Sequence, residues 1–316
     1  MWMLLAIALP MLAGGALAAW RPADRTARQN FVVGAACLTA ACALAAVVTL
    51  RGEDPMVVLS LGEKLSIAFG VDGLSCIFAV LVSLLWPLAC LYAVEYMSRE
   101  GAENRFFAFY LISFGVTLGI AFSANVLTMY LFYELLTLAT LPLVMHHMDG
   151  KARFAGRVYL TYSMCGAALG FIAMVLMIEH GAWFFQFGGS VTVTSDKENT
   201  LRLAYLLGFF GFGVKAAVFP GHKWLLRASV APTPVTALLH AVAVVKAGVF
   251  AVARITWYGF GPELLRGSWC QYLAMGAAMF TIVYASSKAL RTKHLKRRLA
   301  WSTVSNLSYI LLGIAT

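Results

Sequence analysis

The sequence predicts an all-α membrane protein that crosses the bilayer about ten times. Of its 316 residues, 61% are hydrophobic and only 12% are charged, whereas a soluble domain is nearer a quarter charged. Apolar runs of about 20 residues recur along the chain, and a helix needs about that length to cross roughly 30 Å of hydrocarbon. The runs are continuous and rich in Ala and Leu, without the alternation of membrane strands.

The predicted spans are joined mostly by short connections. They cover residues 2–20, 31–50, 72–97, 106–123, 125–147, 157–178, 201–219, 234–254, 269–288 and 299–315. The polar, amphipathic segment 51–70 is predicted to lie outside the membrane, and segment 181–199 is predicted to be a loop because it contains Gly and Ser. The first apolar run has no positively charged region before it, so a retained helix is predicted in place of a signal peptide.

The basic residues predict the orientation of these spans. Lys and Arg are concentrated in the loops that follow odd-numbered spans, with six of them between Lys288 and Arg298. Because basic loops stay in the cytoplasm, both ends of the chain are predicted to lie outside. The net charge of +10 is therefore attributed to orientation and not to nucleic-acid binding. Contact with acidic lipid headgroups is a further role expected for Lys288–Arg298.

No pattern in the chain predicts a metal ion or a cofactor. The two adjacent histidines His146 and His147 point in different directions on a helix, which argues against a metal or haem site. The glycines of "GFFGFG" follow no strand, so they are interpreted as helix-packing positions and not as a dinucleotide fingerprint. The cysteines form no CxxC pair and are expected to be small buried hydrophobic residues; they are Cys37, Cys42, Cys76, Cys90, Cys165 and Cys270.

Six charged residues lie within or at the edges of the predicted spans. Three of them lie near span ends, where their side chains can reach the interface: Asp72, Glu95 and Arg202. The other three lie deeper: Glu134, Lys215 and Lys246. A charge at mid-membrane depth costs a few kcal/mol, so it is normally paired or faces a wet cavity and has a function.

Lys215 is followed five residues later by Pro220. Proline has no N–H and its ring crowds the carbonyl of Ala216, so the helix is predicted to open there. Openings at membrane depth line water or ion sites in transporters. Glu134 carries the opposite charge and is predicted to keep Lys215 protonated when close and to release the proton when the two separate.

The next span extends this pattern. Thr233 is predicted to cap a helix whose first residue is Pro234. His240 and Lys246 follow, about 9 Å apart along a regular helix axis, a gap that one or two waters can bridge. The sequence therefore predicts a proton relay of Glu134, Lys215, His240 and Lys246. Weaker candidates for additional hydroxyl groups are Tyr130, Tyr133, Ser163 and Thr236.

Four stretches resemble one known family: "NVLTMYLFYELLTLATLPLV", "GVKAAVFPGHKWLL", "APTPVTALLHAVAVVKAGVFAVAR" and "LKRRLAWSTVSNLSYILLG". They are similar to the antiporter-like proton-translocating subunits of respiratory complex I, of Mrp cation/proton antiporters and of group 4 membrane-bound hydrogenases. The resemblance runs from about Val71 to the last residue. It implies that Glu134, Lys215, His240 and Lys246 match the family's proton-carrying residues, and that the N-terminus lies outside.

The resemblance also implies a domain organisation. Residues 1–105 would hold spans one to three, residues 106–255 a complete five-helix repeat with its broken helix near 215–220, and residues 256–316 the start of a second, incomplete inverted repeat. The chain would then be a fragment, a shortened member, or a subunit completed by another chain. Leu225 to Ala228 reads "LLRA" where the family usually reads "LPDA", so Arg227 replaces an acid.

The predicted function is proton, or Na⁺/H⁺, translocation by a membrane subunit of a redox-driven complex. Alternatives are a non-conducting scaffold, one of the subunits of an Mrp-type antiporter, an independent solute transporter and a membrane partner in inorganic-carbon uptake. The expected partners are other membrane subunits, peripheral redox subunits and the lipid of a prokaryotic plasma membrane. The chain itself carries no pattern for a redox centre, so any oxidoreductase activity would belong to the NADH-quinone oxidoreductase-like or hydrogenase-like complex.

Overall fold

The computed structural model describes residues 1–20, 24–62, 64–194 and 196–316. The predicted loops 51–70 and 181–199 contain Glu63 and Ser195, which lie outside the described residues. The chain opens with helices α1 (Trp2–Trp20) and α2 (Arg25–Thr49). Helix α2 begins where the Asp24 carboxylate accepts hydrogen bonds from the backbone N–H groups of Thr26 and Ala27, which satisfies donors that the first helical turn leaves free.

The segment between α2 and the next helix forms a small hairpin. Strands β1 (Met56–Ser60) and β2 (Ser66–Phe69) pair antiparallel, so the all-α expectation misses one two-stranded sheet in a segment predicted to lie outside the membrane. Helix α3 (Gly73–Met97) follows directly, with the Asp72 side chain accepting from the N–H of Ser75. A polar cap thus sets the end of this connection at which α3 begins.

Three long helices come next: α4 (Glu103–Ala121), α5 (Val126–Val144) and α6 (Gly150–Glu179). Helix α4 is the most enclosed and packs against α1, α3 and α5. Asn125 caps α5 through the N–H of Thr128, and Asp149 caps α6 through the N–H of Ala152. These caps fix the residue at which each helix begins.

The second half of the chain is less regular. Helix α7 (Glu198–Gly213) is followed by the short helices α8 (Lys223–Ala228) and α9 (Thr233–Ala237). A π-helical turn (Leu238–Val242) then leads into α10 (Val244–Arg254), and a second π-helical turn covers Ile255–Phe260. Helix α11 (Pro262–Leu265) precedes the hairpin of α12 (Trp269–Arg291) and α13 (Leu295–Ala315).

The helices match the predicted spans. Every predicted span coincides with a helical segment, and within the described part of the chain eight helices are long and apolar enough to cross a membrane. The other two predicted spans fall on α7, which has only 16 residues before the chain leaves the helix, and on α13, which begins with basic residues. The protein is therefore a polytopic helical membrane protein.

The glycines of "GFFGFG" pack α7 closely against α6, as the sequence predicts. A Cβ atom on Gly211 would lie 2.5 Å from the backbone nitrogen of Gly170 and 2.9 Å from the carbonyl oxygen of Gly166. No side chain fits in that space, so the backbones of the two helices touch.

Candidate functional site

Lys215 lies where the chain leaves helix α7. Helix α7 ends at Gly213, and the chain remains non-helical until Lys223. The predicted opening is confirmed, and it begins a few residues before the predicted point at Ala216. Ala217 has a left-handed φ of +60°, which a right-handed helix cannot continue through.

The polar groups of the opened backbone are bound by side chains of other helices. The carbonyl of Phe212 accepts from the Tyr133 hydroxyl at 2.7 Å, and the carbonyl of Val214 accepts from the Trp224 indole at 2.7 Å. The N–H of Phe219 donates to the Thr281 hydroxyl at 3.2 Å. Helices α5, α8 and α12 therefore replace the missing helical hydrogen bonds, which permits irregular backbone inside the membrane.

Lys215 points from this opened segment onto helix α5. Its side chain has no exposed surface, and its ammonium group donates to the backbone carbonyl of Tyr133. The same group lies 3.4 Å from the centroid of the Tyr133 ring. A carbonyl and an aromatic face are both electron-rich, so they stabilise a desolvated cation.

Glu134 is the next residue along α5 and brings an acid beside this lysine. The charges of Glu134 and Lys215 are close enough to interact, yet none of the ion pairs within 4 Å among the described residues joins them. The Oε1 atom of Glu134 is buried without a hydrogen-bond partner. The structure thus brings the predicted pair together without closing it into a salt bridge.

Buried hydroxyl groups continue from Glu134 toward the C-terminal end of α5. Thr137 lies one helical turn from Glu134, and its hydroxyl, like that of Ser163, has no partner among the described residues. One turn further, the hydroxyls of Thr140 and Tyr159 lie 2.8 Å apart. Thr137, Thr140 and Tyr159 are absent from the sequence prediction. Thr137 could have been found, because it lies three residues after Glu134 and therefore on the same side of the helix.

His240 lies in a distorted part of its span. The predicted regular helix 234–254 is wrong here: residues Leu238–Val242 form a π-helical turn, in which the N–H of Ala243 bonds to the carbonyl of Leu238 at 2.9 Å. The Nε2 atom of His240 is buried without a hydrogen-bond partner. The regular pattern of helical hydrogen bonds is interrupted at Ala243, between His240 and Lys246. The separation of about 9 Å that a regular helix would give these two residues therefore does not apply.

The start of the same span also differs from the prediction. Pro232 occupies the cap position and Thr233 is the first helical residue. The Thr233 hydroxyl is directed at the hydroxyl of Tyr96 at 3.4 Å, so it binds another helix and does not cap its own. Pro234 still lies in the first turn, where its missing N–H costs no hydrogen bond.

Lys246 lies on α10, near the opened segment. Its side chain is half-buried, and no acidic side chain within the described residues pairs with it. Two residues further on, a Cβ atom on Gly248 would lie 2.7 Å from the carbonyl carbon of Lys215. Gly248 therefore lets α10 touch the backbone that carries Lys215, while no hydrogen bond joins Lys246 or His240 to Lys215 or Glu134 within the described chain.

An arginine that the sequence prediction does not include forms a further buried charge cluster. Arg254, at the end of α10, is 1% exposed and pairs with the Asp72 carboxylate. It also donates to the Ser75 hydroxyl at 2.7 Å and packs over the Phe250 and Tyr258 rings. Asp72 reaches the surface as predicted, but its partner Arg254 is buried. Arg254 could have been noticed in the sequence because it is a charged residue at the end of the eighth predicted span.

The other candidate residues make local contacts. Glu95 and Arg99 are exposed and lie 4.0 Å apart, and Arg202 pairs with Glu198 at 2.5 Å. The hydroxyls of Tyr130 and Thr236 bond to backbone carbonyls at 3.3–3.4 Å. Two of the cysteines expected to be buried, Cys37 and Cys165, are exposed. Apart from Tyr133, the predicted hydroxyl residues do not contact Lys215.

Comparison with known proteins identifies related chains. The family described as "NADH:quinone oxidoreductase/Mrp antiporter, TM" matches residues 123–316. The family described as "NADH-Ubiquinone oxidoreductase (complex I), chain 5 N-terminus" matches residues 59–107. The first match includes the opened helix and all four predicted relay residues.

Curated relatives and solved structures agree with these matches. The A subunit of the Na(+)/H(+) antiporter of Alkalihalophilus pseudofirmus is 35% identical over 253 residues, which cover 78% of this chain and 31% of the relative. The A1 subunit of the Na(+)/H(+) antiporter of Staphylococcus aureus strain JH9 is 29% identical over 272 residues, covering 84% of this chain and 33% of the relative. The chain thus spans about a third of the length of these relatives.

Two solved assemblies share the fold. A chain of the Mrp complex from Dietzia sp. DQ12-45-1b superposes with a TM-score of 0.84 at 21% identity, covering 100% of this chain and 34% of that chain. A chain of the membrane-bound sulfane sulfur reductase, an archaeal respiratory membrane complex, gives 0.81 at 21% identity, covering 99% of this chain and 64% of that chain. At this identity the likeness concerns the fold alone.

Proposed function

The chain belongs to the NADH:quinone oxidoreductase/Mrp antiporter family of membrane proteins, and we propose that it translocates protons within a multi-subunit complex. The observation that carries this proposal is the position of Lys215. Its ammonium group leaves an opened helix and binds α5 at the carbonyl of Tyr133, one residue from the unpaired carboxylate of Glu134. A buried lysine and a half-buried acid that are close but not joined in a salt bridge form a proton switch.

The switch works through the distance between the two side chains. When the opened segment moves toward Glu134, the carboxylate stabilises the protonated ammonium group, because opposite charges attract strongly away from water. When the segment moves away, the isolated ammonium group loses this stabilisation and releases its proton. The Trp224 indole donates to the opened backbone and the Thr281 hydroxyl accepts from it, which lets neighbouring helices control that movement.

His240 and Lys246 extend the route beyond the switch. Both are titratable. Within the described residues, the Nε2 atom of His240 has no hydrogen-bond partner and Lys246 belongs to no ion pair. His240 lies in a π-helical turn, and Lys246 follows on α10. Such turns occur frequently at functional sites. On the other side of Glu134, the hydroxyls of Thr137, Thr140, Tyr159 and Ser163 support a path for protons along α5 and α6.

Mrp-type exchange of Na⁺ for H⁺ is the form of this activity that we propose. The curated relatives are A-type subunits of Na(+)/H(+) antiporters, which favours this alternative over a redox-driven pump. The redox-driven form is the second candidate, because residues 59–107 match the N-terminal family of complex I chain 5; it requires peripheral redox subunits. A scaffold that conducts nothing is the third, and it makes Glu134 and Lys215 dispensable.

The placement in the membrane belongs to the same proposal. The protein is a multi-pass membrane protein, and we place it in a prokaryotic plasma membrane with its N-terminus outside, because the basic loops follow odd-numbered spans. Residues 106–255 then form the repeat that contains the relay, and residues 256–316 begin a second repeat whose first helix, α12, holds the opened segment through Thr281.

Exchange in everted vesicles tests the proposal. The vesicles come from cells that make the whole complex, and the decay of a respiration-driven pH gradient is followed with a fluorescent dye after NaCl is added. Glu134→Gln removes the acid at nearly constant volume, and we expect exchange to fall on the order of 100-fold, since a positioned proton-transfer group typically contributes at least that much. Glu179→Gln, at the exposed end of α6, is the control and should leave exchange unchanged.

The assembly must be checked in the same cells. Mild-detergent purification of the complex should recover equal amounts of subunits from both variants, so that lost exchange is not lost assembly. Wild-type exchange by the Glu134→Gln complex would leave the scaffold as the better description of this chain. Iron–sulfur or hydrogenase-type subunits in the purified complex would select the redox-driven form over the Mrp-type form.

A further inference from the structure

The end of the bundle that bears the basic loops contains a cavity of about 860 Å³. It lies between the start of α6, the connection from α8 to α9 and the connection from α12 to α13. Four cationic side chains from these three places line it: Lys151, Arg227, Lys296 and Arg297. We call it the basic cavity; the relay residues are not part of it.

The charges of the basic cavity have no protein counter-ion. None of the four cations belongs to an ion pair within the described residues, and the lining contains no acidic side chain. The nearest acid in the sequence is Asp149, whose carboxylate is already bound to the N–H of Ala152 at 2.6 Å. Like charges that face one space repel each other, so an anion that enters it is attracted by all four.

The backbone adds donors on the same side. Helix α13 starts at Leu295, and its cap residue His294, which also lines the cavity, accepts no hydrogen bond through its side chain. The first N–H groups of α13 therefore have no side-chain acceptor, and the positive end of a 21-residue helix points toward the cavity. The helix end, like the four cationic side chains, therefore favours a negatively charged ligand.

Apolar side chains surround these cations. Phe154 is 47% exposed, Leu295 is 69% exposed and Val230 is 43% exposed, and all three line the cavity. The guanidinium of Arg227 lies 5.5 Å from the centroid of the Phe154 ring. A free inorganic anion gains nothing from such a surface, whereas a molecule with a phosphate next to an acyl chain matches both parts of it.

We propose that the basic cavity binds an anionic membrane phospholipid, with the phosphate between Arg227, Lys151 and Lys296 and the glycerol and upper acyl chain against Phe154, Val230 and Leu295. The inference goes beyond proton translocation and involves none of the relay residues. A lipid here joins α6, α8 and α13 at their membrane ends.

Lipid binding by the purified protein in detergent tests the proposal. The probes are phosphatidylglycerol and, as a lipid without net charge, phosphatidylcholine, and bound lipid is counted by native mass spectrometry. We expect retention of phosphatidylglycerol and little retention of phosphatidylcholine. Arg227→Gln and Lys296→Gln should each weaken phosphatidylglycerol binding about fivefold, the factor expected for one basic residue near an anionic lipid surface. Arg227→Lys should restore most of it.

The matched control is Arg99→Gln. Arg99 is exposed and lies after the third span, at the predicted basic end of the bundle, but it does not line the basic cavity. It should leave lipid binding unchanged. If Arg227→Gln fails to fold, as judged by elution and melting temperature, Lys296→Gln and Lys151→Gln carry the test, because their positions are on separate helices.

Four results would overturn the proposal. The first is wild-type lipid binding by the folded cavity variants, and the second is equal binding of phosphatidylcholine and phosphatidylglycerol. The third is displacement of the lipid by millimolar inorganic phosphate. The fourth is exclusion of the lipid from the intact complex by an acidic segment of a partner protein. The third result would make the cavity a site for a free anion, and the fourth would make it a contact between proteins of the complex.

Discussion

The ammonium group of Lys215 lies 3.4 Å from the centre of the Tyr133 ring and donates a hydrogen bond to the backbone carbonyl of the same residue. The contact joins an opened helix to α5 at the residue before Glu134. Because the lysine is held by backbone and ring and not by the carboxylate, the distance between Lys215 and Glu134 can change without breaking a salt bridge. The position of the opened segment therefore sets the interaction between the two charges.

The close approach of α10 at Gly248 fixes that position from the other side. A Cβ at residue 248 would lie 2.7 Å from the carbonyl carbon and 3.0 Å from the Cβ of Lys215. Gly248→Ala should therefore displace the opened segment, lower stability by about 1–3 kcal/mol and reduce ion exchange. The melting temperature of the purified protein and exchange in vesicles measure the two effects.

Gly276→Ala is the control for this substitution. Gly276 lies in α12, and a Cβ there would meet nothing within 4 Å, so stability and exchange should stay at wild-type values or rise slightly. Equal behaviour of the two alanine variants would mean that α10 does not position Lys215.

The pair of Arg254 and Asp72 should matter for stability. Asp72→Asn removes the charge that faces a guanidinium only 1% exposed, while an asparagine oxygen can still cap α3. We expect a loss of about 2 kcal/mol, the range for a hydrogen bond to a charged group. Thermal unfolding in detergent, followed by circular dichroism, measures it.

The exposed pair of Glu95 and Arg99 provides the comparison. These side chains are 78% and 85% exposed and lie 4.0 Å apart, and such pairs contribute about 1 kcal/mol or less. Glu95→Gln should hardly move the melting temperature. A larger effect for Glu95→Gln than for Asp72→Asn would contradict the importance given to burial here.

Histidine protonation beyond the end of α5 should make stability depend on pH. Burial lowers the pKa of His146 below its ordinary value of 6.5, with Arg105 and His147 adding to this and Gly101 and Glu100 opposing it. The folded protein therefore prefers the neutral imidazole, which hydrogen-bonds to the Gly101 carbonyl at 3.0 Å. This stability is complete above pH 6.5 and is lost as the pH falls toward the lower folded pKa, by about 1.4 kcal/mol for each unit of difference.

His146→Gln should reduce the change in melting temperature between pH 7.5 and pH 5.5. These two values lie about one pH unit above and below the ordinary pKa of histidine. Glutamine can still donate to the Gly101 carbonyl, so the packing changes little. His147→Gln alters the exposed neighbour and should retain most of the pH dependence. An unchanged slope in the His146 variant would place the titrating group elsewhere.

Much of the fold and of the site could be predicted because the signals were local. Apolar runs of membrane length predicted helices at all the right places, and Pro220 predicted an opening because its effect depends only on the residues before it. Glu134 and Lys215 stood out because charges are rare in apolar runs. The structure places the two close in space, with Glu134 on α5 and Lys215 in the opened segment after α7.

The features that were missed depend on packing between distant segments. Nothing in "LLHAVAVV" distinguishes a π-helical turn from a regular helix, because the same apolar residues can form either one. Asp72 and Arg254 are 182 residues apart in sequence, and only the folded chain brings them together. The hairpin at 56–69 falls in a segment predicted to be a polar connection, because its strands have only five and four residues and show no clear alternation of polar and apolar side chains.

Replacement of Lys215 tests the proposed mechanism most directly. Lys215→Ala is compared with Lys223→Ala, an exposed lysine eight residues further along, where the opened segment ends, in vesicles that contain equal amounts of the assembled complex. We predict that Lys215→Ala abolishes Na⁺-dependent proton exchange, whereas Lys223→Ala exchanges at the wild-type rate. Wild-type exchange by the Lys215→Ala complex would contradict a proton path through this lysine.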